Sequence, residues 1–177
     1  MTTLEAALAD PRYAGAWALD AGRSTVGFRS RSFWGLLPVN GSFGDVTGDG
    51  QLLPSGSVLG RVDVAAASLS TGIGKRDEHL RSPDFFDVER FPRISVEVSS
   101  LAPGTGDAAE LRATLTVKGT QKALAIPATI RLADSGTVRI SARAKIDRTD
   151  WDVTGNLLGM VAKPTQLTAD LVFTKNA

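Results

Sequence analysis

The chain of 177 residues contains no cysteine and a single histidine, His79. Without cysteine it has no disulfide framework, no thiolate nucleophile and no cysteine ligand for a metal. One histidine does not supply a usual zinc site. Charge of either sign is also not in excess, because 20 basic and 19 acidic residues give a formal net charge of +1. Since no strong field would attract nucleic acid or an anionic membrane, we expect neither a metal nor a nucleic-acid partner.

Long apolar runs are absent as well. No segment approaches the ~18 consecutive apolar residues of a membrane-spanning helix, so we expect no stable membrane insertion. The first 13 residues contain Glu5 and Asp10 and lack the basic and apolar regions of a secretory signal. If Met1 is the native start, the expected location is the cytoplasm.

The chain does have long stretches in which apolar and polar residues alternate. Val58, Gly60, Val62 and Val64 share one face of such a run, and the same period recurs at 93–99, 111–118 and 138–147. Short turns rich in glycine and proline separate the runs. This pattern predicts an all-β fold, either a sandwich or an up-and-down barrel.

A short helix precedes the strands. Thr2 or Thr3 can cap an alanine-rich segment that Asp10 and Pro11 stop. We therefore expect an N-terminal helical arm over 1–15 and one β domain over 16–177.

Several positions on the predicted inward faces are small. They are Gly60, Ala113, Ala128, Ala142 and Ala144. In an eight-stranded barrel, small inward residues leave room for a ligand. In a sandwich, the second sheet would fill the same space. Alternation alone leaves both possibilities open.

Residues 68–100 contain the only histidine, three of the seven phenylalanines and many charges. A carboxylate beside His79 would suggest a general base. However, Asp77 is only two residues away and would not face His79 on a helix, and no nearby side chain completes a nucleophile or metal site. We favour a structural interpretation, in which the segment closes one barrel end. Charged residues would anchor it, and apolar ones would enter the core. The anchoring residues are Arg76, Asp77 and Arg81, and the apolar ones are Leu80, Phe85, Phe86 and Phe91.

The order of motifs along the chain resembles the signature of the YceI-like family. Within the segment the matching motifs are SLSTG at 68–72, RDEHLRS at 76–82, DFFDV at 84–88 and FPRI at 91–94. Elsewhere they are DAGRSTVGF at 20–28, which resembles the first strand, VNGSF at 39–43, LTVKGTQK at 115–122 and DRTDW at 147–151. The resemblance implies an eight-stranded antiparallel lipocalin-like barrel with a short helical insertion at about 74–90. It also implies non-enzymatic binding, sequestration or transport of a polyisoprenoid, an isoprenoid quinone or a fatty-acid derivative, with no cofactor required.

The candidate site follows from the resemblance and the inward pattern. The apolar tunnel would be lined by Phe28, Trp34, Phe43, Phe85, Phe86, Leu115, Ile126, Ile140, Ala142 and Phe173. Arg23 and Arg31 occupy positions where many family members have histidine. Near a mouth of the barrel they would hold a phosphate or carboxylate head group. Two alternatives remain open: an enzyme acting on a lipid-like substrate with His79 as base, and a homodimeric interaction module with an empty cavity.

Overall fold

The computed structural model describes residues 3–32, 37–134, 136–155 and 162–176. Eleven antiparallel strand segments form one sheet in this part of the chain. The segments are β1 (Gly15–Leu19), β2 (Thr25–Ser32), β3 (Leu37–Phe43), β4 (Val46–Leu52), β5 (Val58–Ala65), β6 (Leu69–Ser70), β7 (Arg93–Pro103), β8 (Ala108–Val117), β9 (Thr120–Asp134), β10 (Thr137–Asp147) and β11 (Pro164–Lys175). The α-helices are α1 (Leu4–Ala9) and α2 (Gly74–Arg81). No described helix is both long and apolar enough to cross a bilayer.

The sheet closes on itself because β1 pairs with both β4 and β11. Three strands of the barrel are broken into two segments each: β1 with β2, β3 with β4, and β5 with β6. For example, β11 pairs with β1 near Phe173 and with β2 between Gln166 and Asp170, along the same edge. The eleven described segments therefore build an eight-stranded up-and-down barrel. This confirms the predicted lipocalin-like barrel and excludes the sandwich.

The break between β1 and β2 falls within residues 20–28, which the motif resemblance predicted to form the first strand. A 3₁₀ turn at Ala21–Arg23 separates β1 from β2. The hydroxyl of Ser24 donates to the Asp20 carbonyl at 2.7 Å and accepts from the Val172 amide at 3.0 Å. These bonds hold the bend against β11, so the motif is the junction of two segments.

The helix α1 closes one end of the barrel. The hydroxyl of Thr3 accepts a hydrogen bond from the Ala6 amide at 3.2 Å, as expected of an N-cap. Leu4 and Ala7 are buried against the barrel. The arm thus packs on the β domain, and β1 begins at Gly15, the last residue of the predicted arm.

The insertion between β6 and β7 closes the opposite end. Its regular helix α2 is shorter than the predicted 74–90, because it ends at Arg81 and the residues up to Arg90 form turns. Ser82 precedes Pro83 and is extended, with φ −71° and ψ 167°. A residue before proline is disfavoured in the helical region, which explains the early end.

Candidate functional site

The barrel encloses a cavity of about 710 Å³ whose wall is almost entirely apolar. Small-molecule sites in proteins occupy roughly 300–1,000 Å³. Leu4 and Trp17 line the cavity near α1, and Leu80 and Phe86 line it near the insertion. The cavity therefore extends along the barrel between its two closed ends.

A row of alanines crosses four strands of the barrel, and two of them, Ala142 and Ala169, line the cavity. Consecutive strands β8 to β11 bring Ala109, Ala128, Ala142 and Ala169 into register. A methyl group extends only a short distance inward, so these strands do not fill the centre. The sequence pattern identified Ala128 and Ala142 but missed Ala109 and Ala169. The alternation of Leu167, Ala169, Leu171 and Phe173 on β11 was the signal that would have revealed Ala169.

Nine of the ten residues predicted to line the tunnel lie in the described part of the chain, and all nine line the cavity. They are Phe28, Phe43, Phe85, Phe86, Leu115, Ile126, Ile140, Ala142 and Phe173. Trp34 lies outside the described residues. Contact of these side chains with a ligand stays a prediction.

Three phenylalanines form an aromatic cluster on the cavity wall. The ring centroids of Phe28 and Phe43 lie 5.7 Å apart, and each lies 6.2 Å from that of Phe86. The ring of Phe28 lies against Gly41, where a Cβ atom would approach it to 2.3 Å. Glycine at this position therefore lets the ring lie close to β3. Phe86 is only half-buried and lines the cavity.

Phe85 is packed more tightly than Phe86. It is 4% exposed and clusters with Leu115, Trp151 and Val153. Its ring and the imidazole of His79 form an edge-to-face pair, with centroids 5.0 Å apart. Phe85 therefore joins the insertion to the barrel wall.

Charged residues attach the insertion to the barrel, as the sequence predicted. The carboxylate of Asp77 accepts hydrogen bonds from the amide of Thr71 at 2.8 Å and from its hydroxyl at 2.5 Å. Arg76 donates to the same hydroxyl at 2.7 Å. Arg81 donates to the Leu69 carbonyl on β6 at 2.7 Å. Among the described strands β6 pairs only with β3, so one edge of β6 has no strand partner. Arg81 supplies a hydrogen-bond donor to this edge.

These hydrogen bonds predict an acid-sensitive attachment. The hydroxyl and amide of Thr71 lower the pKa of Asp77 from its ordinary value. The stabilisation is present above the pKa of the unfolded state, about 3.9, and is lost as pH falls through the lower pKa of the folded state. We expect Asp77→Asn to lower the urea midpoint at neutral pH, and the gap to the wild type to close in acid. A gap that stays constant across this pH range would contradict the role given to Asp77.

His79 is paired with a carboxylate that the sequence did not single out. Its Nε2 lies 3.6 Å from Oδ2 of Asp84, and the two side chains are 44% and 73% exposed. Asp77, the carboxylate considered first, is engaged by Thr71. His79 lies on the cavity lining at the insertion end. Among the described residues no group of three His, Cys, Asp or Glu side chains is arranged to hold a metal.

The two arginines proposed for a head group do not line the cavity. Nε of Arg23 donates to Oδ2 of Asp20 at 2.7 Å, on the surface. Arg31 is also exposed. Their role as head-group ligands stays a prediction, which needs the head group to lie outside the cavity.

The polar residues of the cavity lining that the sequence reasoning missed include Arg148, Ser30 and Thr165. Arg148 is 7% exposed, and its guanidinium lies 5.7 Å from the ring centroid of Phe85. It donates to the carbonyl of Val153 at 2.6 Å and to that of Ala162 at 3.0 Å. Burial lowers the pKa of Arg148 from its ordinary value. Arg148 therefore ties the loop after β10 to the insertion.

Comparison with known proteins gives a consistent result. Residues 17–173 match a family model described as YceI-like domain. A UPF0312 protein of Pseudomonas putida is 34% identical over 102 residues, which cover 55% of this chain and 52% of the relative. The chain thus spans about half the length of the curated relatives it matches.

Solved structures show the same fold. The crystal structure of BcnA from Burkholderia cenocepacia superposes with a TM-score of 0.79 and 21% identity, covering 87% of this chain and 98% of the other. A polyisoprenoid binding domain from Saccharophagus degradans, described as implicated in plant cell wall breakdown, gives a TM-score of 0.74 and 17% identity. That match covers 90% of this chain and 98% of the other.

Proposed function

Because the chain belongs to the YceI-like domain family, we propose that it binds a long apolar chain inside the barrel and sequesters or carries it. The observation that carries this proposal is the cavity itself. The cavity is continuous and apolar, and side chains do not fill it at the waist. It is bounded by α1 and the insertion. The ligand class we infer is a polyisoprenoid, an isoprenoid quinone or a fatty-acid derivative.

Transfer of apolar surface from water supplies the binding free energy. Each buried CH₂ group contributes about 0.8 kcal/mol, so a long chain gains affinity without many polar contacts. A wall built of Leu115, Ile126, Ile140 and similar side chains recognises apolar surface rather than a defined pattern of hydrogen bonds. We therefore expect loose specificity along the tail.

The relatives support this ligand class. A structure with the same fold is described as a polyisoprenoid binding domain, and its barrel matches over most of both chains. Transport, a homodimeric state and a cytoplasmic location stay predictions.

Solvent extraction tests the proposal. Purified protein is extracted with organic solvent, and the extract is compared by mass spectrometry with one from an unrelated protein purified in parallel. The stripped protein is then incubated with long-chain lipids. We expect retained lipid, or uptake in the second step. A clean extract together with no uptake would refute lipid binding.

The alternative function is an enzyme that uses the same cavity with His79 as base. It is favoured by the position of His79 on the lining and by the nearby carboxylate of Asp84. We expect His79→Ala to keep lipid binding and any turnover of fatty-acyl or prenyl esters. His79→Gln, which retains more side-chain bulk beside Phe85, serves as the control for packing. Loss of turnover in both variants with binding intact would establish the enzyme instead.

A further inference from the structure

Two hydroxyl groups on the cavity wall are buried without a hydrogen-bond partner in the described part of the chain. They are Oγ of Ser30 and Oγ1 of Thr165. Both residues line the cavity, and Thr165 is only 7% exposed. Buried hydroxyls in native proteins are nearly always hydrogen-bonded, and leaving one unsatisfied is costly. These two hydroxyls therefore require a hydrogen-bond partner that the described part of the chain does not supply.

The two hydroxyl-bearing residues are neighbours across the barrel wall. Gln166 on β11 pairs with Arg29 on β2, so the next step of this antiparallel register brings Thr165 opposite Ser30. Each residue also has a partner on its other neighbouring strand: Ser30 pairs with Val39 on β3, and Thr165 pairs with Ile146 on β10. The flanking side chains are apolar. The hydroxyls form a small polar spot in an apolar row.

This polar spot lies at the end of the cavity closed by the insertion. Phe28, which follows in the same register toward the waist, contacts Phe86. On the other side, the Arg148 amide donates to the Lys163 carbonyl at 3.1 Å, two residues before Thr165. A ligand that engages the hydroxyls would extend its tail past the alanine row toward α1.

We propose that Ser30 and Thr165 bind the polar end of the bound chain, and that this end is a neutral oxygen such as a carbonyl. This inference rests on the proposed function and adds the head-group class and the orientation of the ligand. Each hydroxyl donates one hydrogen, and a carbonyl oxygen has two lone pairs to accept both.

A neutral head group fits this spot better than an anion. Both donors are uncharged, and burying a charge costs far more than burying a neutral polar group. Arg148, a buried cation of the same lining, already donates to the carbonyls of Val153 and Ala162. We therefore expect a ketone or quinone to bind more tightly than the matching carboxylate.

A matched pair of isoprenoids tests the assignment. Phytone is a saturated isoprenoid ketone, and pristane is the hydrocarbon in which a CH–CH₃ group replaces the carbonyl. The double variant Ser30→Ala with Thr165→Val removes both hydroxyls with little change in volume. Thr174→Val is the control, because Thr174 lies on the same strand but outside the cavity lining. Affinity is measured by displacement of a fluorescent fatty acid, and folding by thermal unfolding.

We expect the double variant to weaken phytone binding about ten-fold, the effect of two ordinary hydrogen bonds. Pristane affinity and the unfolding midpoint stay at least equal to the wild type, and the control binds both probes normally. Equal phytone affinity in the wild type and the double variant would overturn the inference while leaving lipid binding intact. Tighter binding of pristanic acid than of phytone to the wild type would overturn the neutral head group. Failure of the wild type to bind any probe would refute the proposed function and this inference together.

Discussion

Ala142→Trp is expected to block lipid uptake while the barrel remains folded. Ala142 lies at the waist, paired with Ala128 on one side and Ala169 on the other. An indole at this position occupies the space through which the chain passes. Displacing about four CH₂ groups at ~0.8 kcal/mol each weakens binding roughly 200-fold. Because the ring fills a void, it gains contacts with the opposite wall, and we expect the unfolding midpoint not to fall.

Ser141→Trp is the matched control for this variant. Ser141 is the adjacent residue of β10, is exposed and donates to the Asp170 carboxylate at 3.3 Å. The same ring is therefore added to the outside of the same strand. Binding titrations with one fluorescent lipid on both variants make the comparison. Normal uptake by Ala142→Trp would show that the ligand does not pass through the barrel waist.

Phe85→Ala is expected to destabilise the protein strongly. Phe85 is 4% exposed and packs with Trp151, whose Nε1 donates to the Leu115 carbonyl at 2.9 Å. Removing a buried phenylalanine ring from such a cluster costs about 3–5 kcal/mol of unfolding free energy. Urea unfolding followed by tryptophan fluorescence measures this loss.

Phe86→Ala separates sealing of the cavity from contact with the ligand. Phe86 follows Phe85 directly, but it is half-buried and lies beside Phe28 and Phe43 on the cavity wall. We expect Phe86→Ala to lower the unfolding free energy less than Phe85→Ala does. Relative to its loss of unfolding free energy, Phe86→Ala should weaken lipid binding more than Phe85→Ala. The reverse order of the two variants would show that Phe86 is the structural plug and Phe85 the contact.

The strands and their inward faces could be predicted from the sequence because the evidence for them is local, whereas closure into a barrel rather than a sandwich was implied only by the resemblance to the YceI-like family. Alternation at 138–147 assigns Ile140 and Ala142 to the inward face without knowledge of the partner strands. The breaks in the long strands could not be predicted in the same way. The bend at Ala21–Arg23 depends on the hydrogen bond that the Val172 amide of the distant strand β11 donates to the Ser24 hydroxyl, and such a contact leaves no periodic signal.

The candidate site could also be predicted only in part, for the same reason. The aromatic and alanine lining follows from side-chain direction along each strand, which the sequence records. The polar part of the wall depends on which groups lack a partner after folding. Nothing in the local sequence distinguishes the hydroxyls of Ser30 and Thr165 from the exposed hydroxyls of other strands. Arg23 and Arg31 were selected by motif position alone, and the structure places neither on the cavity lining.

The most direct test of the central claim is a crystal structure of the protein purified without added ligand. We expect continuous elongated density for a bound chain along the barrel axis. It would run from the insertion near Phe86, past Ala142, toward Leu4 of α1. Its thicker, hydrogen-bonding end would lie beside Ser30 and Thr165. An interior in which side chains close the space at the waist, or one that contains only isolated waters and stays so after soaking with phytone, would contradict the account.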